Sequence, residues 1–193
     1  APKPRGEKKQ QTERKPAING EPYYAGLHQL GEPYPLRVEP NSEADDCYVR
    51  SGLYGSFLSG GLAGFIYGAE GIWQADTEPQ SLYKMWHSFR WRSADQIRHV
   101  RTFAEVHGLR YRELEPAAEL LVPNKTGPGY SYYGWGYCAR TPDRALFMLY
   151  FEKNAPLEAT LRGVTKSAQY RPMFFDPREG KWLPAGEPVA VAP

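Results

Sequence analysis

Apolar and polar residues fall into two regimes along this chain. Between residues 15 and 120, two short apolar runs end in glycine, Pro16-Ala17-Ile18-Asn19-Gly20 and Leu62-Ala63-Gly64-Phe65-Ile66-Tyr67-Gly68, and each precedes a helical pattern. Runs of that length bounded by turn residues predict short buried strands. Ser42, with Asp45 three residues on, reads as a capping box that starts a helix. Leu53, Tyr54, Phe57, Leu58 and Gly60 then keep the spacing of one packed helical face. Gly52, Gly55, Gly60 and Gly61 would weaken a lone helix, so they predict close approach of a neighbour. Ser93 and Gln96 read as a second capping box, with Ile97, Val100 and Ala104 facing inward and Gly108 as the stop. Strand, helix, strand, helix is the order of a parallel sheet covered by helices.

From about residue 132 the pattern changes to short β-rich runs, "GYCAR", "ALFMLYF", "EATLRG" and "QYRPMFFD". Turn signals at Thr141-Pro142-Asp143 and Asp176-Pro177-Arg178-Glu179-Gly180 separate them. They predict a small antiparallel β-sandwich over residues 132–193, with "LVPNKTGPGYS" (residues 121–131) as linker. The fold class expected is therefore α/β plus all-β. Two βα units cannot cover both faces of a sheet, since a closed barrel needs eight. The α/β portion reads as the last quarter of something larger.

Composition narrows the function only slightly. Hydrophobic residues make up 41% and charged residues 24%, with Trp 5 and Tyr 14. That aromatic load suits a dense core as well as stacking on sugars or bases. The net charge of +2 argues neither way about an anionic partner. The first sixteen residues hold six Lys and Arg against two Glu. Without apolar periodicity, residues 1–14 read as a flexible solvated tail in preference to a nucleic-acid arm. No apolar run approaches the ~18 residues of a membrane span. No signal peptide is visible, and the chain opens at Ala1, so an upstream portion is expected.

Cys47 and Cys138 could pair in an oxidising compartment or remain free. His28, His87, His99 and His107 lack zinc spacing, and His107 reads as a dipole partner near a helix end. Nucleophile elbow, phosphate loop and dinucleotide fingerprint are all missing, so neither metal nor organic cofactor is expected.

In βα folds, functional side chains sit where strands end. Glu21 follows the first run in "NGEPYY", and Glu70 follows the second in "YGAEGIWQAD". Neighbouring strand ends would gather Glu21, Tyr23, Tyr67, Glu70 and Trp73 at one mouth, with Tyr24 beside them. Carboxylates among aromatic rings suit a sugar site, where rings stack on sugar faces and paired carboxyls cleave glycosidic bonds. The competing reading makes Glu21 a loop carboxylate paired with Lys or Arg, buries Trp73 and Trp86 in the core, and leaves Glu70 and Asp76 as plain polar loop residues.

"KPAINGEPYY", "RSGLYGSFLSGGLAGFIYGAEGIWQ" and "VRTFAEVHGLRYRELEPAAELLVPN", in that order, resemble the apiosidase-like glycoside hydrolases, bacterial (β/α)8-barrel proteins. "ALFMLYF" and "YRPMFFDPREGKW" resemble the small β-sandwich that follows those barrels, often labelled collagen-binding. The resemblance implies the C-terminal part of a TIM barrel, with strands seven and eight in residues 15–120, followed by an accessory sandwich. It implies that Glu21 is the nucleophile of a retaining O-glycosyl hydrolase. Tyr23, Tyr24, Tyr67, Glu70 and Trp73 would hold a carbohydrate substrate drawn from plant or microbial polysaccharide. The acid/base would come from strand four, which this sequence lacks, so the chain alone is expected to be inactive. A polypeptide supplying the missing strands is one partner the resemblance admits, and it points to the periplasm or cell exterior. The alternative class is a non-catalytic protein that binds glycan or matrix.

Overall fold

The computed structural model describes residues 17–26, 38–127, 132–166 and 168–191. The basic run before residue 17, His28 and the end of the 121–131 segment lie outside the described residues. Two strands pair in parallel, β1 (Ile18–Asn19) and β2 (Gly64–Phe65), with Ile18 opposite Gly64. Ala25 and Ala69 bridge in the same sense further along. Between the strands in sequence runs α1 (Glu43–Leu58). Asn19 Nδ2 donates to Ser56 Oγ at 2.6 Å, which ties β1 to that helix.

The strands are not buried on both sides, as the apolar runs predict. Ile18 is 59% exposed and Ile66 51% exposed. Successive side chains of an extended chain alternate between faces. Asn19 faces α1 and Phe65 packs against the core, so Ile18 and Ile66 fall on the opposite, uncovered face.

Ser42 caps α1 as expected, its Oγ accepting from the Asp45 amide at 3.2 Å. Asp45 does not complete the box, because three other donors occupy its carboxylate. The expected packed face forms, with Leu53, Tyr54, Phe57 and Leu58 all buried. Gly52 and Gly55 serve it as predicted, whereas Gly60 and Gly61 lie past the end of α1. A Cβ on Gly55 would sit 2.9 Å from Tyr137 Cζ, so only glycine lets that ring lie against the helix.

A short helix the sequence did not predict, α2 (Met85–Ser88), comes first, and the second predicted helix is broken into α3 (Arg92–Gln96) and α4 (His99–Ala104). A 3₁₀ stretch, Glu105–Glu113, follows and bends at His107 and Gly108, where Gly108 has φ +63°. Ser93 and Gln96 form no capping box. Arg92 N–H is received by Asn41 Oδ1 at 2.9 Å, so a distant side chain opens α3. Ser93 Oγ instead meets the Tyr67 hydroxyl at 3.0 Å, and Gln96 Oε1 accepts from Arg50 Nη1 at 2.7 Å.

The C-terminal part is rich in small antiparallel sheets, and the whole is mixed α and β. β3 (Glu115–Pro116), β5 (Gly136–Arg140) and β6 (Phe147–Phe151) make one three-stranded sheet in the order β3-β5-β6. β4 (Leu121–Val122) pairs with β7 (Thr160–Leu161). β8 (Gln169–Tyr170) pairs with β11 (Val189–Ala190), and β9 (Phe175–Asp176) with β10 (Lys181–Trp182). The expected linker thus begins as strand at Leu121 and Val122, with Leu121 buried against Cys138 in a small apolar cluster, and Lys125 bridges Trp135. Sheet structure begins at β3, ahead of residue 132.

Nor do the sheets stand apart from the helices. One apolar core contains Leu53, Tyr54, Phe57 and Phe103 together with Ala139 and Met148. Tyr54 stacks on Tyr150 with ring centres 4.9 Å apart, and Phe103 stacks on Trp182 at 5.9 Å. Both cysteines are free.

Candidate functional site

Glu21 lies just past the end of β1, exposed to solvent. The Asn19 side chain shapes that end, its Oδ1 accepting from the Glu21 amide at 3.1 Å. Pro22 and Tyr23 then turn inward and are buried, and Gly52 of α1 fits beneath Pro22. The carboxylate borders an open cleft of about 290 Å³, walled by β1 and its exit, by Ser51 to Ser59 of α1 and its C-terminal end, and by Tyr132 and Tyr137. Among the described residues that line this cleft, Glu21 is the one charged side chain.

The predicted set is brought together in part. The Ala25–Ala69 bridge sets the two strand exits side by side, as expected of adjacent parallel strands. Tyr23 borders the Glu21 cleft, but its ring is buried and its hydroxyl donates to Asp45 Oδ1 at 2.8 Å. Tyr24 lies over Gly68, whose missing Cβ leaves the space its ring fills. Tyr67 is half-buried against Ser93, and burial pushes its hydroxyl up to about 12. Glu70 is held through its backbone, its amide donating to the Ala25 carbonyl at 2.7 Å while its carbonyl accepts from Ser88 Oγ. Neither Trp73 nor Trp86 is in the core, at 63% and 44% exposed. Trp73 rides on a turn whose ends are fastened, Asp76 N to Gly71 O at 2.8 Å and Met85 N to Asp76 O at 2.9 Å.

The sequence reading missed the far wall of the cleft. Glu152, just past the end of β6, is 5% exposed and receives three hydrogen bonds. Ser51 Oγ and the Tyr137 hydroxyl (3.3 Å) donate to Oε1, and the Trp135 amide donates to Oε2 at 3.0 Å. Ser51 and Tyr137 both line the Glu21 cleft, so Glu152 sits one hydrogen bond behind its surface. A lone Glu after an aromatic run carries no sequence signal for that role, because its partners come from α1 and β5.

Burial raises the Glu152 carboxyl above its ordinary range, against the opposing pull of those hydrogen bonds and of Lys125. A glutamate in the unfolded chain ionises near about 4.3. The unfolded state therefore releases this proton first as pH rises, and the Glu152 contribution makes stability fall from about pH 4 through the folded pKa. Glu152→Gln should flatten that part of the slope in urea unfolding measured across the range.

Among the described residues, no cluster of three or more His, Cys, Asp or Glu side chains could hold a metal ion. No helix among them is long and apolar enough to cross a membrane.

The site is thus an exposed carboxylate at the exit of a parallel strand, in a cleft with tyrosine rings. The sequence model of the apiosidase-like catalytic domain matches residues 5–109, more than half of the chain. The chain belongs to the apiosidase-like family. That membership makes it glycoside hydrolase-like, and the matched span includes Glu21, α1 and β2 but ends before the first of the antiparallel sheets. No curated protein matches the chain.

Proposed function

We propose that this apiosidase-like chain is the C-terminal part of a retaining glycoside hydrolase acting on O-glycosidic bonds of plant or microbial polysaccharide. β1 and β2 are barrel strands seven and eight, and the sheet-rich part is the accessory unit that follows the barrel, of the collagen-binding-like kind. Glu21 attacks the anomeric carbon, and the acid/base comes from a barrel strand that lies outside this sequence. Tyr23, Tyr24, Tyr67, Glu70 and Trp73 shape the substrate site. One observation carries this reading: among the described residues no ion pair engages the Glu21 carboxylate, which stands open in its cleft at a strand exit. The uncovered face with Ile18 and Ile66 supports the further strands.

In the completed enzyme, retention requires the two carboxyls about 5–5.5 Å apart. Glu21→Gln should lower kcat on the order of a thousandfold or more while the fold persists, as loss of a group that acts in the chemical step does. Reducing-sugar release from a polysaccharide panel, with the missing βα units supplied, measures it. Undiminished turnover would remove Glu21 from the mechanism.

A second reading has one observation in its favour, that Glu21 is the sole carboxylate among the described cleft-lining residues. In this reading the chain binds glycan without cleaving it. Turnover dependent on Glu21 excludes that reading.

A further inference from the structure

Tyr137 and Ser51 come from different parts of the fold, β5 and α1, yet both give their protons to the same buried oxygen, Oε1 of Glu152. A hydroxyl has one proton to donate and two lone pairs that accept. With the proton turned back to Glu152, each oxygen has only lone pairs left to offer the cleft. The Glu21 carboxylate, when ionised, is likewise an acceptor alone. Asn19 gives one amide hydrogen to Ser56, and its carbonyl accepts from the Glu21 amide. Ser56 in turn gives its proton to the Gly52 carbonyl.

The described lining is therefore rich in acceptors around a tyrosine ring, with few donors (Ser59 and one Asn19 amide hydrogen) and no Lys, Arg or His to neutralise an anion. A ligand that complements it must bring several donors and an apolar face without negative charge. A neutral polyhydroxylated ring does both, and about 290 Å³ lies at the lower end of ligand pockets, enough for a single ring.

We infer that the C-terminal sheet builds one wall of the Glu21 cleft, and that Glu152 is a positioning residue whose hold on the Tyr137 and Ser51 protons selects a neutral sugar ring. This rests on reading the Glu21 cleft as a carbohydrate site, but not on hydrolysis. Tyr137 touches the sugar, and Glu152 acts through it.

Binding of D-xylose, D-galactose and L-rhamnose to the full chain, followed by saturation-transfer NMR, tests the inference. At least one sugar should saturate the wild type. Tyr137→Phe and Glu152→Gln should each weaken it about fivefold, the worth of one neutral hydrogen bond. A purely structural role is separated by monodeoxy versions of that sugar. At one deoxy position the wild type and Tyr137→Phe should bind alike, because the ligand hydroxyl that Tyr137 accepts is already gone. Should Glu152→Gln fail to fold, Tyr137→Phe, which keeps the ring, and Ser51→Ala carry the test.

Sugar binding that ignores these substitutions overturns the inference and leaves the Glu21 mechanism standing. Tyr137-dependent binding in an enzyme whose Glu21→Gln variant keeps its turnover does the reverse. Failure of every sugar to saturate the wild type, or stronger binding of spermidine than of any sugar, also overturns it.

Discussion

A chain that stops at Lys125 is expected to lose its helices as well as its sheets. α1 is covered on one side by the parallel strands and on the other by β5 and β6. Tyr54, 1% exposed, is stacked on Tyr150, and Gly55 receives the Tyr137 ring. Further along, Phe103 is stacked on Trp182 and also touches Phe175, while His99 Nδ1 meets the Pro177 carbonyl at 3.1 Å. Full burial of one large apolar side chain stabilises by about 1.5–3 kcal/mol. Uncovering Tyr54 and Phe103 alone would therefore remove about 3–6 kcal/mol, against a total of about 5–15 kcal/mol for an ordinary domain.

The intact chain should melt in one transition, seen alike by far-ultraviolet circular dichroism and by tryptophan fluorescence. The shortened chain should show no cooperative melt. Two separate transitions in the intact protein, or a folded shortened form, would disprove the shared core.

Asp45→Ala should be the most damaging single substitution near the N-terminus of α1. Its side chain is fully buried. Oδ1 accepts from the Tyr23 hydroxyl and the Gly26 amide, both at 2.8 Å, and Oδ2 from the Asn41 amide at 3.0 Å. The same carboxylate lies in the first turn of α1, where the helix dipole favours negative charge. Alanine would strand three donors, one of them a tyrosine hydroxyl inside the core. Breaking a buried charged arrangement on one side costs about 3–5 kcal/mol, which for a chain of this length lowers Tm by roughly 10 °C. Asp45→Asn, which keeps one carbonyl oxygen, should fall between. A Tm shift of only a degree or two in the alanine variant would mean that water or neighbouring groups take over those donors.

The same carboxylate shows where local pattern stops being informative. Ser42 could be placed as the cap of α1 from its neighbours alone, since a cap needs only the amides two or three residues on. The parallel pairing of β1 with β2, the buried face of α1 and the β5–β6 hairpin were legible for a similar reason: each follows from periodicity and turn chemistry within a short stretch. Asp45 was expected to turn back to its own helix end, but Tyr23 and Gly26 claim it from another strand exit. Ser93 and Gln96 repeat the lesson, with partners at Tyr67 and Arg50. Polar side chains of this kind are settled by whichever donor or acceptor the fold brings within 3 Å, and spacing along the chain does not contain that information.

Family membership and the strand-exit position of Glu21 were within reach of the sequence by itself, because both rest on the order of residues in one stretch. The tertiary structure alone decided that Tyr23 belongs to the core, that Trp73 and Trp86 face solvent, and that Glu152 stands behind the Glu21 cleft. It also decided that sheet and helices share one interior. Burial and hydrogen-bond partnership depend on what a distant segment brings, and Glu152 lies 101 residues from the Ser51 that helps to hold it.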